Sequence, residues 1–225
     1  PIWTRTFTST YDDYFEKGFS LIERSNGDLV LTGTEHDESG NHLMLMISTN
    51  ADGTEIWRNT YEIGSNNTGR AIKETLDGGL IVCGETEIQG VDNQIFLLKT
   101  DSNGNTEWFN DYGGTGNQAG FDIVEIDDQG YVAIGYTYSY TYGESDVYVM
   151  KTDNAGQLQW EKNIGGEEHD QANGISKTND EGFVIIGYTQ SFGNGNSDVY
   201  VVKIGGTFTE PYFGPSYFVS TSGSD

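Results

Sequence analysis

Apolar residues along this chain fall in short runs, cut by glycine and polar turn residues, and the runs return in a fixed order. Leu80-Ile-Val-Cys83 is followed by Ile95-Phe-Leu-Leu98, Tyr131-Val-Ala-Ile134 by Val147-Tyr-Val-Met150, and Phe183-Val-Ile-Ile186 by Val199-Tyr-Val-Val202. Short runs rich in β-branched and aromatic residues, bounded by Gly, Asn and Asp, predict strands. These do not alternate apolar with polar, so both faces of each strand are expected to be buried. More mixed segments flank each pair. Phe19–Glu23, Gly69–Thr75, Phe121–Ile126 and Gly174–Thr178 precede, and the tryptophan-bearing Glu55–Trp57, Glu107–Tyr112 and Gln159–Trp160 follow. No segment has helical periodicity.

The turn between the third and fourth pieces is the clearest signature. Lys99-Thr-Asp-Ser-Asn-Gly-Asn-Thr-Glu-Trp108 enters as a strand, reverses at residues that tolerate positive φ, and leaves with a tryptophan four positions after the glycine. Thr49-Asn-Ala-Asp-Gly53 leads to Trp57 in the same way, and Thr152-Asp-Asn-Ala-Gly156 to Trp160. Trp3, Trp57, Trp108 and Trp160 stand 54, 51 and 52 residues apart, so the chain is built of repeats. Four strands per repeat and two-sided burial predict an all-β, four-bladed β-propeller. The expected blades span about 18–60, 69–112, 120–164 and 173–204 within a domain of residues 1–206. The last unit lacks a tryptophan strand and Ile2–Phe7 is a spare one. That segment is therefore expected to pair with Val199–Lys203 and close the ring, removing both sheet edges.

Tyr112-Gly-Gly114, Asp77-Gly-Gly79, Lys99-Thr-Asp101 and the tryptophan strand resemble the repeats of secreted bacterial β-propellers. The Asp-x-x-Gly-x-x-x-Trp spacing is also similar to the tryptophan-docking element of quinoprotein propellers, where the indole packs between neighbouring blades. The quinoprotein chemistry does not transfer, because no cofactor or metal pattern accompanies the spacing. The resemblance covers about residues 1–204 and speaks to fold more than to function. Residues 207–225 have a different texture. Glu210-Pro-Tyr-Phe-Gly-Pro215 reads as a linker, and Ser216–Asp225 resembles the opening strand of a pectate-lyase-like β-helix, so a further domain is expected.

Charge narrows the function. A net charge of −24 argues against nucleic-acid binding, which needs a basic face. No stretch is long and apolar enough for a membrane-spanning helix. The single cysteine, Cys83, sits in an apolar run and is expected in the core. His36, His42 and His169 have no metal spacing. The hairpin acids Asp52, Asp101 and Asp153 admit two readings: turn chemistry, which is preferred, or Ca²⁺ ligation, for which the glycine comes too early for an EF-hand loop.

Two groups of residues are candidate binding sites. Tyr138, Tyr140 and Tyr142, in Tyr136-Thr-Tyr-Ser-Tyr-Thr-Tyr142, offer rigid amphipathic contact area. Glu23, Glu74 and Glu125, with Lys177 in the fourth repeat, hold equivalent places on the first strands. They are expected either around a central channel, holding a cation or water, or in ion pairs between units. No catalytic constellation and no cofactor is recognised. The expectation is a non-catalytic extracellular or cell-surface module serving scaffolding, adhesion or protein-partner binding. The alternative is a glycan-binding module accessory to a polysaccharide-degrading enzyme.

Overall fold

The structure is a computed structural model that describes residues 3–8, 15–88, 92–139, 141 and 143–205. Among these there is no helix; fifteen strands form four separate antiparallel sheets, each a simple meander. The first sheet comprises β1 (Lys17–Glu23), β2 (Leu29–His36), β3 (His42–Thr49) and β4 (Glu55–Tyr61). The second comprises β5 (Thr68–Glu74), β6 (Leu80–Glu87), β7 (Asn93–Thr100) and β8 (Thr106–Tyr112). The third holds β9 (Gln118–Glu125), β10 (Tyr131–Thr137), β11 (Asp146–Thr152) and β12 (Leu158–Ile164). The fourth has three strands, β13 (Asp170–Lys177), β14 (Phe183–Thr189) and β15 (Asp198–Ile204).

The expected runs are the middle strands. They bury because consecutive sheets stack face on face. Val30, Met44 and Met46 of the first sheet meet Ile72, Leu80, Val82, Phe96 and Leu98 of the second. The other face of the second sheet, with Ile81, Cys83, Ile95 and Leu97, meets Ile123, Tyr131, Ala133, Tyr148 and Met150 of the third. Val132, Ile134, Val147 and Val149 then meet Ala172, Ile175, Phe183 and Ile185 of the fourth. The second and third sheets thus each have a face toward their predecessor and a face toward their successor, filled by alternate residues of the same strands.

Two turn motifs recur inside the sheets. Lys99 on β7 reaches the turn between β5 and β6, with its ammonium 3.0 Å from Asp77 and 3.0 Å from Glu107. Lys151–Asp128 and Lys203–Asp180 repeat the link in the next two sheets. This is why Asp-Gly-Gly and Lys-Thr-Asp travel together: a Cβ on Gly79 would run into the Lys99 ammonium and the Thr100 carbonyl. In the hairpins, Gly53, Gly104 and Gly156 have φ of +80°, +79° and +74°, the left-handed region that glycine enters without strain.

Those same glycines receive the tryptophans of the preceding unit. A methyl group on Gly104 would lie 3.0 Å from the Trp57 ring, and one on Gly156 2.7 Å from the Trp108 ring. Tyr61 and Tyr112 donate hydroxyl hydrogens to the Gly104 and Gly156 carbonyls, both at 2.6 Å. The side-chain amides of Asn59 and Asn110 reach those carbonyls too, at 3.2 and 3.3 Å. Trp, Asn and Tyr, spaced by two, share one strand face and act as a single latch onto the next hairpin.

The N-terminal segment corrects the expected closure. Residues 3–8 are not a strand, and β15 has no fourth partner among the described residues. Trp3 instead uses the latch position on the first sheet: its indole Nε1 donates to the Ala51 carbonyl at 3.2 Å, and the ring covers Gly53. Trp57 and Trp108 each grip the hairpin of the following sheet, and Trp3 takes the same place on the hairpin of the first. Trp3 therefore stands ahead of the first sheet, on the hairpin next in sequence, whatever strand lies beside it.

Candidate binding rim

In a stack of meanders, the starts of the first and third strands and the ends of the second gather along one edge. That edge carries a continuous row of flat side chains. The Arg70 guanidinium, at the start of β5, lies 4.7 Å from the Phe19 ring of β1 and 5.5 Å from the Phe121 ring of β9. Its charge is balanced by Glu85 at the end of β6. Phe121 packs at 5.8 Å against Tyr136, which meets Tyr138 edge-on at 5.8 Å. Tyr138 then meets His169 edge-on at 6.0 Å. Phe19, Arg70 and Phe121 hold the same repeat position in three successive sheets, so three strand starts present one ligand-sized stripe.

Where this row begins, a cleft of about 310 Å³ opens between the first two sheets; Phe15, Phe19, His42, Asn66, Arg70 and Glu85 are among its lining residues. Lys17 stands 4.6 Å from the Phe15 ring, and the His36 and His42 rings meet at 4.1 Å, tilted by 33°. Burial, with the charges of His36 and Lys17 nearby, pushes the His42 imidazole below its ordinary pKa, so it serves at neutral pH as an uncharged donor and acceptor. Burial likewise raises the Tyr136 phenol, with Glu85 adding to the effect. The rim keeps the Tyr136 phenol protonated and pairs its arginine with a glutamate. It can stack on flat or apolar groups and exchange hydrogen bonds at its margins.

Of the predicted tyrosines, Tyr138 lies in this row and is exposed. Tyr140 and Tyr142 lie outside the described residues. Glu23, Glu74, Glu125 and Lys177 are at the opposite edge, at the ends of β1, β5, β9 and β13, where Lys177 acts on the Glu125 carboxyl through its charge. Glu74 accepts from the Ser25 amide at 2.7 Å and from Arg24 Nε at 3.0 Å, across to the turn of the first sheet. Burial works against its charge, but those donors outweigh it and hold the carboxyl below its ordinary pKa. Glu125 repeats the contact on the second sheet's turn, accepting from the Leu76 amide at 2.7 Å; there burial prevails and the pKa is raised. Lys177 pairs with Asp127 of the third sheet's turn at 3.1 Å. Glu23, exposed on the first sheet, has no preceding turn among the described residues to reach.

The hairpin acids are occupied by their own turns. Asp101 accepts from the Asn103 and Asn105 amides at 2.8 and 2.9 Å, and Asp153 from those of Ala155 and Gln157 at 3.0 and 2.8 Å. Asp52 accepts from the Thr54 amide and hydroxyl at 3.0 and 2.6 Å. Among the described residues no three His, Cys, Asp or Glu side chains converge as a metal site. Cys83 is fully buried, and burial raises its thiol pKa far above the ordinary value, which makes it unreactive.

The sequence reading missed Phe19, Arg70 and Phe121 as a group. The signal was present: they share one place in the repeat, as Glu23, Glu74 and Glu125 do, but they differ in type and only the carboxylates attracted notice. Compared with known proteins, the chain matches no family model, and no curated protein gives a significant match.

Proposed function

We propose that the four sheets are consecutive blades of a β-propeller and that the chain is a non-catalytic, extracellular or cell-surface module that binds a protein partner through the aromatic rim. The blade reading is supported by the stacking of four-strand meanders and by the latch that joins each to the next. The single observation that carries the binding reading is the row Phe19–Arg70–Phe121–Tyr136–Tyr138. Aromatic residues and arginine are the side chains that dominate binding energy at protein interfaces, and here several sheets contribute to one surface. The chain's net charge of −24 favours a basic partner and disfavours nucleic acid.

A glycan is the second reading, favoured by the cleft beside Phe15 and Phe19 with its amide, imidazole and carboxylate lining. The two are separated by offering the chain cell-envelope and matrix protein fractions in parallel with a glycan array. Protein binding lost in Phe19→Ala and Tyr138→Ala, with melting temperature unchanged, supports the rim and its partner class. Array binding lost in the same variants selects the glycan reading. Binding that survives both substitutions removes the rim from the argument.

A further inference from the structure

The face of the fourth sheet that has no successor among the described residues is built like a junction. Val184, Ile186, Val199 and Val201 occupy the repeat positions of Val132, Ile134, Val147 and Val149 in the third sheet. The third-sheet residues are 0 to 1% exposed because the fourth sheet covers them. Of their equivalents Val184 is half-buried, and the other three lie open: Ile186 is 53% exposed, Val199 77% and Val201 59%. Beside them β15 is a sheet edge, carrying unpaired backbone donors and acceptors among the described residues.

The matching half-junction lies on the first sheet. Leu21 holds the repeat position of Ile72 in the second sheet and Ile123 in the third, which are both fully buried, yet Leu21 is 61% exposed. Leu29 and Leu31, in the places of the fully buried Leu80 and Val82, are only half-buried. In front of this sheet Trp3 already occupies the Gly53 latch. Elsewhere in the chain that latch is filled by the fourth strand of the preceding sheet. Residues 3–8 thus stand where the fourth strand of a preceding sheet would run, and the fourth sheet is the one with three strands.

We infer that the occupant of the fourth sheet's bare face is the first sheet of a second copy of this chain, docked head to tail. The second copy's residues 3–8 run along β15 as the missing fourth strand, and Leu21, Leu29 and Leu31 cover Ile186, Val199 and Val201. The contact is a fourth instance of a junction the chain makes three times internally. It is heterologous, because two different faces meet, so copies add in one direction until a ring closes or a filament grows. None of these residues belongs to the aromatic rim, so the assembly stands or falls apart from the binding reading.

Net charge gives the assembly a distinctive salt response. Each copy carries −24, so copies repel over distances set by the Debye length, and added salt strengthens association rather than weakening it. Light scattering of the full chain across the micromolar range is expected to give a mass above the monomer that rises with protein and salt. Val199→Lys with Val201→Lys, and separately Leu21→Lys, should each yield monomers that keep the wild-type melting profile of a dilute sample. Mixing the two variants should give a one-to-one heterodimer and nothing larger, since each retains one good face. A wild type that stays monomeric at high salt overturns the inference. So does an assembly that survives both substitutions. A monomer in which cysteines placed at Leu21 and Val201 cross-link within one chain also overturns it, in favour of closure by the chain itself.

Discussion

Val149 and Val201 are the same residue at the same place in successive repeats, as are Ile134 and Ile186, yet one of each pair is sealed and the other faces solvent. The strands that carry them are close copies, Val147-Tyr-Val-Met150 and Val199-Tyr-Val-Val202. What differs is the neighbour. A strand without apolar and polar alternation signals that both faces are made for burial, but the covering partner is supplied by a different sheet. The largest contrast should therefore appear on truncation. Ile134→Ala leaves a cavity between two sheets and is expected to cost about 2–5 kcal/mol. Ile186→Ala, in dilute monomeric protein, should cost about 0.5 kcal/mol or less. Chemical denaturation of both variants checks this, and equal losses would mean that the fourth sheet's outer face is covered after all.

A second contrast separates glycines that turn the chain from glycines that receive a latch. Gly78 and Gly104 have nearly the same positive φ, +81° and +79°, but a Cβ on Gly78 meets nothing within 4 Å. Replacing it by alanine carries only the left-handed penalty, about 1–2 kcal/mol. At Gly104 the methyl group would also press on the Trp57 ring and the Asn59 amide. Such overpacking adds about 1–3 kcal/mol. If Gly104→Ala melts no lower than Gly78→Ala, the tryptophan latch is looser than its distances indicate.

The latch hydroxyls give a smaller effect. Tyr112 is buried and Tyr61 half-buried, and each donates to a glycine carbonyl that also has an asparagine partner. Burial lifts the Tyr61 phenol to about 12 and the Tyr112 phenol further, so both remain donors throughout the working range of pH. Tyr112→Phe should cost about 0.5–1.5 kcal/mol, and Tyr61→Phe the lower end of that range. Phe7, four residues after Trp3, already lacks the hydroxyl. Restoring it with Phe7→Tyr and finding a gain in stability would show that residues 3–8 sit in the latch in full.

The repeat, its strands and its hairpins were legible because they rest on local signals: apolar runs, turn glycines and the constant step from glycine to tryptophan. The role of Asp-Gly-Gly was half legible, since the motif is visible but its lysine partner lies 22 residues on, from Asp77 to Lys99. Closure was not legible. Ile2–Phe7 looks like a spare tryptophan strand, but strand pattern does not say which sheet the strand joins, and Trp3 follows the latch to Gly53. The rim escaped for a related reason. Phe19, Arg70 and Phe121 matter as neighbours across three sheets, and one-dimensional inspection of equivalent positions favours identical residues over complementary ones. Glu74 and Glu125 attracted notice by being identical, and each proves to hold the turn of the sheet before it.

The smallest effect concerns acid. Lys99 is almost fully buried with Asp77 as one of its two carboxylate partners, whereas the first sheet has Ser48 and Asn26 in these places. Burial alone would raise the Asp77 pKa, yet the Thr75 hydroxyl, the Gly79 amide and the Lys99 ammonium together bring it down to about 2. Asp128 is lowered against burial by Lys151 and the Gly130 amide, and Asp180 is lowered chiefly by Lys203 and the Thr178 hydroxyl. A carboxyl whose folded pKa lies below its unfolded value contributes stability that is complete above the unfolded value, near 3.8, and is lost as pH falls through about 2. The Asp77 carboxylate is more than half exposed, so solvent screening keeps its share small. Melting temperatures between pH 5 and pH 2 should fall in that window. Asp77→Asn should start lower and fall less steeply, because the carboxyl that titrates is gone while the turn hydrogen bonds remain. Hydrogen exchange in the same window should show the β5–β6 turn loosening before the β1–β2 turn. A β1–β2 turn that opens first would place the acid sensitivity outside the Lys–Asp pairs.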